Sequence, residues 1–159
     1  MFPPRRSQLS LHGRHNTVDI SCISSILRLG DKYHLAPSLL MEAKNHLMTY
    51  YTTSFEAWAD RCNALRWQPQ PLDAIRVINL SRLLDIPSVL PTAFYICANI
   101  DPEELRYGST LEDGSIRETL TPEDQFLVAQ MRSCLVAENA NNTFILFQAP
   151  RARIWPWKK

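Results

Sequence analysis

Glycine is scarce in this sequence, with four residues in 159. A backbone loop that wraps a phosphate closely needs several glycines, so a nucleotide-binding loop of that kind is disfavoured. No GxSxG elbow and no HExxH pair occurs either. An apolar run of about 20 residues, the length of a membrane-spanning helix, is missing too. The best stretch, Val89 to Ala98, is short and broken by Pro91 and Thr92. No apolar segment follows Arg5 and Arg6, so the N-terminus does not read as a secretory signal. The cysteines at 22, 62, 97 and 134 form no CxxC pair, which removes the usual redox and zinc signature. They read as reduced, mostly buried thiols of an intracellular protein, cytoplasmic or nuclear.

What is present is an ordinary globular composition, 45% hydrophobic and 21% charged, which excludes disorder throughout. The net charge of +1 hides a strong asymmetry. Residues 1–16 hold three arginines and no acid, and residues 149–159 hold four basic groups and no acid. Residues 17–148 carry ten basic against sixteen acidic groups, a net of −6. An acidic body is a poor surface for phosphate backbones, so no specific nucleic-acid binding is expected.

The hydrophobic pattern predicts an all-α fold: an irregular bundle of about seven short helices joined by Pro-marked turns, with flexible ends. Residues 1–16 read as a flexible basic leader. From Thr17, Ile20, Ile23 and Leu27 recur at helical spacing, and Ile26, Leu29 and Tyr33 repeat it beside them. Pro37 starts a second helix bearing Leu39, Leu40, Ala43 and Leu47 on one side. Thr53-Ser54-Phe55-Glu56 predicts a capping box, with Thr53 as the hydroxyl. The third helix carries Phe55, Trp58, Ala59 and Cys62. Trp67 to Pro71 is a linker. Further helices run from Leu72 to Leu84 and from Pro87 through Cys97. Asp101-Pro102-Glu103-Glu104 and Thr121-Pro122-Glu123-Asp124 are helix starts, with acids near the positive end of the dipole. Between them lies a polar loop with a turn at Asp113-Gly114. The last helix turns Leu127, Met131, Cys134 and Leu135 inward and ends at Asn139 to Asn142.

Chemistry is thinly represented. His12 and His15 sit in the leader, and His34 and His46 are solitary, so no metal set and no cofactor is expected. The paired acids have a sufficient explanation in the helix dipole. No catalytic residue is assigned, and the chain is not read as an enzyme. In the tail, Arg151, Arg153, Trp155 and Trp157 interleave basic and aromatic groups. That pattern suits a weak membrane-surface or nucleic-acid contact. A small all-α enzyme or ligand-binding protein is the other alternative.

The segment Ile26-Leu27-Arg28-Leu29-Gly30-Asp31-Lys32-Tyr33-His34-Leu35, with Pro37 through Leu47, resembles the closing helix pair of BTB/POZ domains. There Tyr33 would pack inward, with Asp31 and Lys32 facing out. The segments Thr53 to Trp58, Ala74 to Pro87, Leu90 to Tyr95 and Leu120 to Asp124 resemble the helical tail of fungal BTB-domain proteins. The resemblance implies a closing pair at 17–52, a BTB-associated tail at 53–148 and a basic Trp-containing tail at 149–159. It implies a protein–protein interaction module with protein partners and possible self-association. The BTB core sheet has no room before residue 17, so the chain reads as the C-terminal part of such a protein, truncated or incomplete. Loss of that core should expose some of Ile20, Ile23, Ile26, Leu27, Leu39 and Leu40 as an interaction surface, and the isolated chain should associate in solution.

Overall fold

In the computed structural model, residues 19–64, 70–110 and 117–148 are described. The leader, most of the proline linker, the Asp113-Gly114 turn and the basic tail lie outside them. Asp19 opens the first helix, α1 (Ile20–Tyr33), by accepting a hydrogen bond from the Ser21 amide at 3.1 Å. Its core line is Ile20, Ile23 and Leu27, each at most 1% exposed. Ile26 is half-buried, while Leu29 and Tyr33 are exposed. The apolar face is therefore narrower than expected, and Tyr33 does not pack inward. It lies on the flank of α1, where Lys32 Nζ stands 5.3 Å from its ring centre. The side chain of Asp31 is outside the described residues.

His34 ends α1 in the left-handed conformation, so it is a cap rather than a helical residue. Pro37 then starts α2 (Pro37–Tyr50), because its fixed φ suits a first turn whose amide has no partner anyway. Gly30 lets the two helices approach: a Cβ at this position would stand 2.0 Å from Leu40 Cδ2. The next helix, α3 (Phe55–Ala64), is capped one residue later than expected. Ser54, not Thr53, accepts from the Ala57 amide at 3.3 Å and donates to Glu56 at 2.9 Å. Ala59 is exposed and Trp58 half-buried, while the side chains of Phe55 and Cys62 lie outside the described residues.

The centre is α4 (Asp73–Leu84), which contacts both α1 and α5 (Leu90–Ala98). The apolar residues Ile75, Val77, Ile78, Leu80, Leu83 and Leu84 spread widely enough to predict burial on more than one side. Ala74 to Ile78 and Leu80 are buried, whereas Leu83 is exposed and Leu84 half-buried. Ser81 Oγ donates to Ile86 O at 2.6 Å, closing the turn where Asp85 adopts φ 51°. A short 3-10 turn, Pro87–Val89, leads into α5. Asp101 caps α6 (Pro102–Tyr107) by accepting from the Glu103 and Glu104 amides, and Gly108 ends it at φ 80°. There a Cβ would meet Glu118 O at 2.3 Å.

The expected polar loop contains a small antiparallel ribbon, β1 (Ser109–Thr110) with β2 (Arg117–Glu118). Seven α-helices are present among the described residues, and the class is all-α. One core cluster joins Ile20, Leu47, Ile75, Ala93 and Val128, so α1 and α2 share an interior with the helices that follow them.

Candidate functional site

Two polar clasps hold the elements that frame the surface. In the first, Glu118 on β2 receives both Arg28 bonds at 3.0 Å and an Asn79 bond at 3.2 Å. The Arg76 Nε lies 3.6 Å from the same carboxylate, and its other nitrogens donate to Ser21 Oγ and Ser109 Oγ. Arg76 is 3% exposed. A buried guanidinium is tolerated when its charge is met. Here Glu118 meets the charge and the two terminal nitrogens donate, tying α1, α4 and the ribbon together, while Nε has no hydrogen-bond partner among the described residues.

The second clasp seats the last helix, α7 (Pro122–Gln148). Asp124 is buried and pairs with Arg82 of α4 at 2.8 Å. Thr121 Oγ1 accepts from the Asp124 amide at 3.2 Å. The acidic start is thus more than dipole matching, because Asp124 also anchors the helix. Eight residues on, Arg132 donates to the carbonyls of Ala98 and Ile100, which meets orphan acceptors at the end of α5. Asp124 and Val128 are buried, and Met131 and Leu135 are half-buried. Leu127 and Cys134, expected on the inner side, are exposed. The true inner line is offset by about one residue.

The helix does not stop at Asn139 to Asn142. It continues to Gln148, giving 27 residues, and every residue from Val136 to Gln148 is exposed. Among them are Phe144 at 60%, Leu146 at 75% and Phe147 at 85%. Asparagine is a weak helix former rather than a breaker. No Gly or Pro occurs between Pro122 and Pro150, and that signal would have found the full helix.

The apolar surface expected on the closing pair is not there. Ile20, Ile23 and Leu27 are in the core, and Ile26, Leu39 and Leu40 are half-buried. The reason is packing within the chain: α4 and α2 cover α1. Arg151, Arg153, Trp155 and Trp157 lie outside the described residues.

An open cleft of about 410 Å³ lies beside Trp58 and Tyr95, which meet edge to face with centroids 6.0 Å apart. Leu72 and Ile96 supply apolar lining, and Asp101 and Glu104 supply carboxylates. Asp101 is committed to capping α6, and Gln70, Asn99 and Glu104 are the other polar residues at the cleft. Burial pushes the Cys97 thiol up to about 12, with the Asp124 carboxylate adding to the shift. That suits a packing residue rather than a nucleophile. Cys22 and Cys134 are exposed, against the expectation of mostly buried thiols. Among the described residues, no group of three or more His, Cys, Asp or Glu is placed to hold a metal ion. Nor is any helix among them long and apolar enough to cross a membrane.

Comparison with family models, with curated proteins and with solved structures finds no match to this chain.

Proposed function

We propose that this protein is a non-enzymatic protein–protein interaction module, working inside the cell as the helical part of a BTB-type protein. One observation carries the interaction reading. The second half of α7 extends beyond the core with Val136, Phe144, Ile145, Leu146 and Phe147 at 55–85% exposure. Large apolar side chains left bare in water favour a partner. The order of the segments that resemble the BTB closing pair and its tail supports the same class of function.

The ligand-binding alternative draws on the Trp58–Tyr95 cleft, whose shallow, open shape favours it less. The test is proximity labelling in cells with the full chain against the variant Phe144→Glu, Phe147→Glu. Both changes lie on exposed positions, so the fold should persist, and circular dichroism checks that. A neighbour set that disappears in the variant is the expected outcome. Identical sets would contradict the reading.

A further inference from the structure

We propose that α7 pairs with α7 of a second copy of this chain, antiparallel, about a two-fold axis between Val136 and Ala137. This rests on the reading of α7 as an interaction surface and names its partner.

The first argument is the chemistry of the outward stripe. Opposite the line Asp124, Val128, Met131 and Leu135, the helix presents Phe126, Ala129, Ser133, Ala137, Ala140 and Phe144. Val136 and Phe147 border it, and all eight are exposed. None is ionisable. The solvent-facing side of a helix is normally its polar side, so the pattern is inverted here.

The second argument is self-complementarity. A two-fold interface brings the same patch of both copies together, so residues equally far from the axis must fit one another. Here Phe126 meets Phe147, Ala129 meets Phe144, Ser133 meets Ala140, and Val136 meets Ala137. Small residues at the centre let two helices approach to about 8 Å. The like-charged groups of α7, Glu123, Asp124 and Glu138, are off the seam.

The third argument is shape. A shallow groove of about 700 Å³ runs along the flank of α7 towards α5, lined by Phe94, Leu127, Met131 and Cys134 as well as by Phe126, Ala129 and Ser133 of the stripe. The stripe forms one wall of this groove, beside the positions where this register places Phe144 and Phe147 of the second copy. The two bodies would lie on opposite sides of the helix pair, because each occupies the face of α7 away from the seam.

The fourth argument is area. The exposed Phe126, Val136, Phe144 and Phe147, with the small residues between them, offer roughly 700–900 Å² per chain. A stable interface buries about 800 Å² per partner.

The test uses the full chain in analytical ultracentrifugation from about 1 to 300 μM. The expected result is reversible association to twice 18.3 kDa. Ala137→Glu places like charges at the axis and should weaken it at least about 100-fold without loss of helicity. In a Cys22→Ser, Cys62→Ser, Cys134→Ser background, mixed Phe126→Cys and Phe147→Cys chains should oxidise mainly to the 126–147 disulfide. A predominant 126–126 disulfide, or a dimer indifferent to Ala137→Glu, would overturn the arrangement. A monomer at every concentration would overturn the self-pairing. In that case a hydrophobic dye whose binding falls in Phe144→Ser, Phe147→Ser preserves the interaction reading, and unchanged dye binding rejects that as well.

Discussion

The first and second halves of α7 have similar shares of apolar residues but different fates. From Pro122 to Leu135 the helix is held by the Arg82–Asp124 pair, by burial of Val128 and by Arg132 on the end of α5. From Val136 to Gln148 every residue is exposed, although Phe144 to Phe147 form an unbroken apolar run. Hydrophobicity alone therefore does not dictate burial. Position relative to a receptive neighbour does, and α5 ends before the second half begins.

The largest effect should come from the clasp beneath this arrangement. Arg76→Ala removes a buried cation that bonds α1 to the ribbon, and should cost about 3–5 kcal/mol in urea unfolding. A cost below about 1 kcal/mol would show that Arg28 and Asn79 hold Glu118 unaided. Next comes the comparison inside α7. Val128→Ala should cost about 1–3 kcal/mol, while Val136→Ala should stay within about 0.5 kcal/mol at concentrations where the chain is monomeric. Equal costs would erase the distinction between the halves. Gly30→Ala should cost about 1–3 kcal/mol, since its methyl would drive Leu40 from its place between α1 and α2.

Ionisation gives smaller effects. Cys97 has its thiol pushed up to about 12, so its contribution is intact below the ordinary thiol value and is lost as pH rises towards 12. At pH 8, Cys134 and Cys22 should alkylate rapidly, and Cys97 only on unfolding, as read by peptide mass spectrometry. Asp73 is also raised, mainly by burial, against the Gln70 amide and Arg76, which lower it. A raised carboxyl favours the fold below its unfolded value and ceases to as pH rises through its folded value. Asp73→Asn should therefore gain stability relative to the wild type across that window. A stability difference, variant minus wild type, that falls with rising pH would contradict this.

The helix starts were legible at Pro37, Pro102 and Pro122, which obey a local backbone rule that tertiary context rarely changes, whereas Pro87 opens a 3-10 turn and α5 begins only at Leu90. The capping hydroxyl was misplaced by one residue, since Thr53 and Ser54 are adjacent and both have the chemistry. Helix faces were less legible. Tyr33 and Leu127 continue an apolar periodicity, but which flank meets a neighbour depends on where α4 and α5 lie. The exposed end of α7 was hidden by reading four residues around Asn141 as a stop, when they impose only a modest propensity cost. The bare apolar surface expected on the first two helices is absent, since α4 and α2 cover α1, and the exposed apolar residues of α7 were not anticipated.

Hydrogen exchange along α7 at two protein concentrations tests the contrast most directly. A lone 13-residue helical extension frays in water unless it is packed. The amides of Val128 to Leu135 should be protected equally at about 1 and 300 μM, whereas those from Val136 to Gln148 should gain protection only at the higher concentration. Protection of both halves that is uniform and independent of concentration would contradict the account.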